Sequence, residues 1–118
     1  MSHVAKLEIK FTNLEAIQRA CERVGGRFLG KGIEKFYDET EVGGYLIHFP
    51  DWQYNLVITA EGNLLYDNYE GEWGNQAYLD KFKQLYAVET AKIAAEANQY
   101  YYQEETLPTG VLKLTIEV

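Results

Sequence analysis

Between Asn75 and Asn98 no proline or glycine interrupts the chain, and Leu79, Phe82, Tyr86, Ile93 and Ala97 recur at steps consistent with 3.6 residues per turn. Asn75 suits the cap of such a helix. At 1.5 Å per residue the helix is about 30 Å long, enough to cross one face of a small sheet. The chain has 118 residues, room for one domain over 1–118 with one core and no need of staples.

The rest of the sequence supplies the sheet. Ala5, Leu7, Ile9 and Phe11 alternate with Lys6, Glu8 and Lys10, the period-two pattern of a strand with one face on a core. Thr12 and Glu15 then have capping-box spacing, Leu14, Ile17, Cys21 and Val24 follow at helical spacing, and Gly25-Gly26 stops the helix. Glycines at 30, 32, 43 and 44 punctuate the next segment, which reads as a short strand near 34–39. Tyr45, Ile47 and Phe49 alternate with their neighbours, Pro50-Asp51 offers a turn, and Tyr54, Leu56, Ile58 and Ala60 alternate in return. A second tight connection at Glu61-Gly62-Asn63 leads to Leu64-Leu65-Tyr66. Asp67 to Gly74 suits a loop, Tyr100 to Glu104 a strand, Pro108-Thr109-Gly110 a turn, and Leu112, Leu114, Ile116 and Val118 a closing strand. The order strand, helix, three to four strands, helix, two strands predicts an α+β fold, an antiparallel sheet with two helices packed on one face.

Composition narrows the chemistry. With 18 acidic and 11 basic residues the net charge is −7, which argues against a broad duplex nucleic-acid footprint. No run of about 18 apolar residues exists to span a bilayer. One cysteine makes no internal disulfide and no export pattern opens the chain, so the cytoplasm is the expected location. His3, His48 and Cys21 have no metal-ligand spacing; Asp67, Glu70 and Glu72 offer oxygen ligands but lack the regular loop of an EF-hand, and read as a solvated acidic loop. No glycine-rich phosphate loop occurs, and no cofactor is expected. Ser2 is the only serine and Cys21 lies on an apolar stripe, so no nucleophile accompanies a histidine. His48 with Asp51, across the Pro50 turn, is the best acid/base pair; the competing reading puts His48 on the polar side of a strand.

Aromatic content stands out: 10 tyrosines, 2 tryptophans and 5 phenylalanines. Strand packing accounts for most of them. Trp52, Tyr69 and Trp73 fall in turns and loops, where a flat apolar face with a polar tip suits stacking on a ring or anchoring a partner. Tyr101 is expected on the opposite strand face from Tyr100 and Tyr102, a face left for something else to cover if helices cover one face only. These residues, with His48, predict a non-enzymatic binding protein that engages a small ring-bearing ligand or a protein partner. The alternatives are an acidic phage-type decoy that occupies a basic surface and, last, an enzyme using His48 with Asp51 or His3. A homodimer is compatible with all three, because an uncovered sheet face or unpaired edge invites a partner.

Several of these residues resemble, in order, a family of unknown function found as open reading frames in cyanobacterial genomes, algal plastids and some phages. Met1-Ser2-His3 with Lys6 and Thr12-Asn13-Leu14 looks like the family's N-terminus. Gly44-Tyr45, Ile47 and Phe49 are similar to its glycine-tyrosine strand, and Tyr54-Asn55-Leu56-Val57 to the strand that follows. Trp73, Phe82, Leu85, Tyr86 and Ala87 resemble its tryptophan loop and tyrosine-alanine helix, and Gly110, Leu112 and Leu114 its closing hairpin. The departures are His48 in place of glycine, the segment between Gly25 and Gly43, and a longer 61–74 loop. The resemblance implies a small cytoplasmic protein and carries no activity.

Overall fold

The computed structural model describes residues 9–118. Most of the strand expected over 5–11 lies outside the described residues; Ile9, Lys10 and Phe11 follow it without strand pairing. Helix α1 spans Leu14–Arg23, and its cap is Asn13, whose side chain accepts from the Ala16 N–H. The expected Thr12–Glu15 capping box does not form. In such a box the glutamate would take the cap residue's own N–H. Here the Tyr86 hydroxyl accepts from the N–H groups of both Thr12 and Asn13, at 3.0 and 3.1 Å. Glu15 turns instead to Arg19, 2.8 Å away. At the other end Gly25, with φ +84°, donates to the Glu22 carbonyl and Gly26 to the Cys21 carbonyl. That pair of bonds satisfies the last carbonyls of the helix, and the left-handed conformation is what makes glycine the fitting residue.

Four strands follow as an antiparallel meander in chain order: β1 Arg27–Lys35, β2 Glu41–His48, β3 Leu56–Ile58 and β4 Leu64–Leu65. β1 lies N-terminal to the strand expected near 34–39, sharing only Glu34 and Lys35 with it while 36–39 form the turn, and Tyr54 and Ala60 fall outside β3. Helix α2, Gln76–Ala97, is capped by Asn75 and closed at Asn98, the bounds that its uninterrupted periodicity predicts. Leu79, Phe82, Leu85 and Tyr86 from α2 meet Ala16, Ile17, Ala20 and Cys21 from α1 over Ile47, Leu56 and Ile58 of the sheet. Both helices thus cover one sheet face, and the fold is α+β. The small side chains of Ala16 and Ala20, fully buried, let the helices approach, whereas Leu14 is left outside.

The other sheet face is covered by the chain itself. Val57 points away from Leu56 and Ile58 yet is fully buried. What covers it is the β1–β2 hairpin, which bends where Gly32 pairs with Gly44 and Gly30 and Gly43 flank them. A Cβ on Gly44 would sit 2.2 Å from the Ile58 carbonyl oxygen, so the close approach of β2 to the end of β3 requires glycine there. Beyond the bend, the Glu34 carboxylate accepts from the Asn55 backbone N–H at 2.9 Å and from its side-chain amide at 3.3 Å. Farther out, Phe36 meets Tyr54 and Tyr37 meets Trp73.

The closing hairpin, β5 Tyr101–Thr106 and β6 Leu112–Glu117, forms a separate two-stranded sheet. Gln99, in the left-handed region at φ +59°, turns the chain out of α2 into β5. Charge ties the hairpin to both helices. The Glu104 carboxylate accepts both Arg23 guanidinium nitrogens, at 2.9 and 2.7 Å, and Lys92 Nζ at 2.6 Å. Glu89 lies buried behind them, 3.7 Å from Arg23 and 3.8 Å from Lys92.

Candidate functional site

Folding the hairpin tip over the outer sheet face leaves a recess of about 460 Å³ between residues 36–42 and 65–73. Its walls are aromatic: Phe36 and Tyr37 come from the tip, Tyr66, Tyr69 and Trp73 from the segment after β4. Val42 and Leu65 give it an apolar base, and Asp38, Thr40 and Asp67 give it polar groups. Trp73 is the hub. Tyr69 stacks on it with ring centres 4.7 Å apart and planes 21° apart, Tyr37 leans against it at 5.0 Å, and Tyr54 meets it edge-on at 5.8 Å.

Local hydrogen bonds hold this wall. The Asn68 carbonyl accepts from the N–H groups of Gly71 and Trp73, and the Trp73 carbonyl accepts from the Gln53 N–H at 2.8 Å. The buried Asn68 side chain donates to Gln76 Oε1 at 2.9 Å, and Gln76 donates in turn to Asp80, so the loop is anchored to the first turn of α2. Tyr69 opens a single 3₁₀ turn, Tyr69–Gly71, with φ +45°. A bulky residue in that region is strained by about 1–3 kcal/mol. In that conformation its ring lies on Trp73, and the residue remains 58% exposed; Tyr37 is 69% exposed. On the tip, Asp38 accepts from the Thr40 N–H at 2.9 Å. That bond, with a further contribution from the Thr40 hydroxyl, holds the Asp38 carboxyl below its ordinary range.

Of the residues expected to form a site, the structure brings together Tyr69 and Trp73. Trp52 is a correction. It is only 3% exposed, its indole N–H donates to the Asn75 carbonyl at 3.2 Å, and it packs edge-on against Phe49 at 5.4 Å. Gly74 lies flat on its ring, where a Cβ would come within 2.4 Å. The turn position therefore leads Trp52 into the core. Tyr101 is 81% exposed but sits on the closing hairpin, beside a separate hollow with Gln103 and Thr115, and does not line the recess. His48 makes no pair with Asp51. Asp51 is in the left-handed region at φ +62°, within the turn, and His48 Nδ1 lies 3.0 Å from Asn55 Oδ1. Because the Asn55 amide nitrogen is committed to Glu34, its oxygen accepts and His48 Nδ1 carries the proton. His48 thus belongs to the Glu34–Asn55 clasp that holds the hairpin down.

Phe36 and Tyr37 line the recess, and the sequence pattern alone does not single them out. The available signal was two adjacent aromatics beside a glycine-rich segment. Cys21 is fully buried and its thiol is pushed up to about 11, mainly by desolvation, which leaves it without nucleophilic character. Among the described residues no three His, Cys, Asp or Glu side chains gather to hold a metal ion. No described helix is long and apolar enough to cross a membrane. No family model, curated protein or solved structure matches the chain.

Proposed function

We propose that this chain is a non-enzymatic binding module whose aromatic recess takes a small ring-bearing molecule. The observation that carries the reading is the near-parallel Tyr69–Trp73 pair, which presents the free face of an exposed tyrosine beside a second exposed tyrosine, Tyr37. Stacking a third ring there would bury apolar area against a surface already ordered by packing, so little conformational freedom is lost on binding. The strained φ of Tyr69 supports the same reading, since the fold maintains a costly conformation that exposes a ring. A protein partner anchored by Tyr37 and Tyr69 would use the same rings.

Native mass spectrometry of freshly purified protein, followed by calorimetric titration with a panel of mono- and bicyclic ring compounds, tests the proposal. We expect a retained mass or saturable binding that Tyr69→Ala and Trp73→Ala each weaken at least tenfold. Equal binding by the wild type and both variants overturns it, as does the absence of binding by every ring compound.

A further inference from the structure

The recess is unusual in its charge. Between Lys35 and Lys81 the chain contains no lysine or arginine and nine aspartates and glutamates, half of the acidic residues in the protein. This segment includes the hairpin tip and the loop that form the two aromatic walls. At the recess itself Asp38 and Asp67 stand among the rings, and no basic side chain lines it. Resting on the binding reading above, we infer that the ligand is a planar organic cation, of the class of N-alkylated heteroaromatic rings.

Three physical arguments converge on that class. An aromatic face carries negative quadrupole density, so a cation over Tyr69 or Tyr37 gains an attraction that a neutral ring lacks. The Asp38 carboxylate, held on the tip by the Thr40 N–H, adds a Coulomb contribution at the rim. A delocalised planar cation is weakly hydrated, so entering an apolar recess costs it far less desolvation than a compact ammonium group would pay. An anionic ring meets the reverse of each. The acidic field of the whole 36–80 segment also raises the local concentration of cations. The ionic clusters around Glu104 and around Arg19 contain their own basic side chains and lie away from the aromatic walls, so neither offers a comparable site for a cation.

The test uses wild-type protein and three probes of matched shape: N-methylquinolinium, neutral quinoline and quinoline-carboxylate, titrated at pH 7.5. The expected result is binding of the cation at least tenfold tighter than the neutral ring, little or none by the anion, and a cation affinity that weakens as salt rises. Asp38→Asn with Asp67→Asn should bring the cation down to the neutral ring's affinity while leaving the neutral ring within about twofold. The wild-type salt dependence stands independently of how those substitutions affect the tip. Equal or tighter binding of neutral quinoline overturns the cation inference and leaves the ring-binding reading intact. Failure of every ring compound overturns both. A capped arginine peptide that binds more tightly than N-methylquinolinium overturns the small-molecule assignment in favour of a guanidinium presented by a partner.

Discussion

Replacing Glu104 with glutamine tests whether the closing hairpin is held by charge. Glu104 accepts two bonds from Arg23 and one from Lys92, its side chain is 19% exposed, and its carboxyl is brought down from 4.5 to about 2, chiefly by the Arg23 and then the Lys92 hydrogen bonds. A depression of about 2.5 units corresponds to at most ~3.4 kcal/mol at about 1.36 kcal/mol per unit. Water at the rim screens part of this, and the buried Glu89 carboxylate, 3.7 Å from Arg23, takes over some of the pairing once Glu104 is neutral. The expected loss in Glu104→Gln is therefore about 2 kcal/mol at pH 7. Because the folded value lies below the unfolded one, this stabilisation is complete above about pH 5 and declines as pH falls toward 2. Urea unfolding followed by circular dichroism at pH 7 and pH 3 reads it directly. The gap between wild type and variant should fall to under half of its neutral value at pH 3. A gap of the same size at both pH values would refute the electrostatic origin and point to lost packing of the hairpin instead.

Gln99→Gly should stabilise the protein by about 1 kcal/mol, seen as a raised thermal midpoint, because φ +59° is costly for glutamine and free for glycine. The Cys21 thiol should resist a thiol-specific reagent under native conditions up to at least pH 9 and react fully in denaturant, given its burial and a value near 11. Gly44→Ala forces a Cβ to within 2.2 Å of the Ile58 carbonyl oxygen and should cost about 2 kcal/mol or more, with faster hydrogen exchange at the Asn55 N–H as the tip lifts. Unchanged exchange there would mean that the hairpin tip does not depend on the glycine bend.

What the sequence discloses about this fold is mostly what is local. The bounds of α2 are legible because periodicity, an asparagine cap and the absence of glycine and proline all lie within the same two dozen residues. The cap of α1 is read one residue early because the group that decides it, the Tyr86 hydroxyl, is 74 positions away. The four glycines after Gly26 look like punctuation between short elements. Their role emerges only from the β1–β2 register, which sets Gly32 against Gly44 and turns two interruptions into one hinge. Trp52 and Trp73 look equivalent as loop indoles, yet one meets Phe49 in the core and the other forms the wall of a recess, a difference made by long-range packing. Glu104 carries no local mark of its network, since its cationic partners Arg23 and Lys92 come from α1 and α2, and Glu89 shows only the i,i+3 spacing to Lys92, with nothing to announce its burial or its approach to Arg23.

The hairpin bend also changes what the second sheet face implies. A bare outer face over Val57 would call for a partner or a second copy, but the tip of the same chain lies there, clasped by Glu34, Asn55 and His48. An apolar strip stays open between that tip and the loop ending at Trp73, where Tyr37 and Tyr69 keep most of their area in water. A strip of exposed rings beside two carboxylates gains little by closing against itself, because the acidic tip and the acidic loop repel each other. A cation between them removes that repulsion, so filling the recess should also fasten the hairpin, and ligand binding and slower exchange at the Asn55 N–H should rise together.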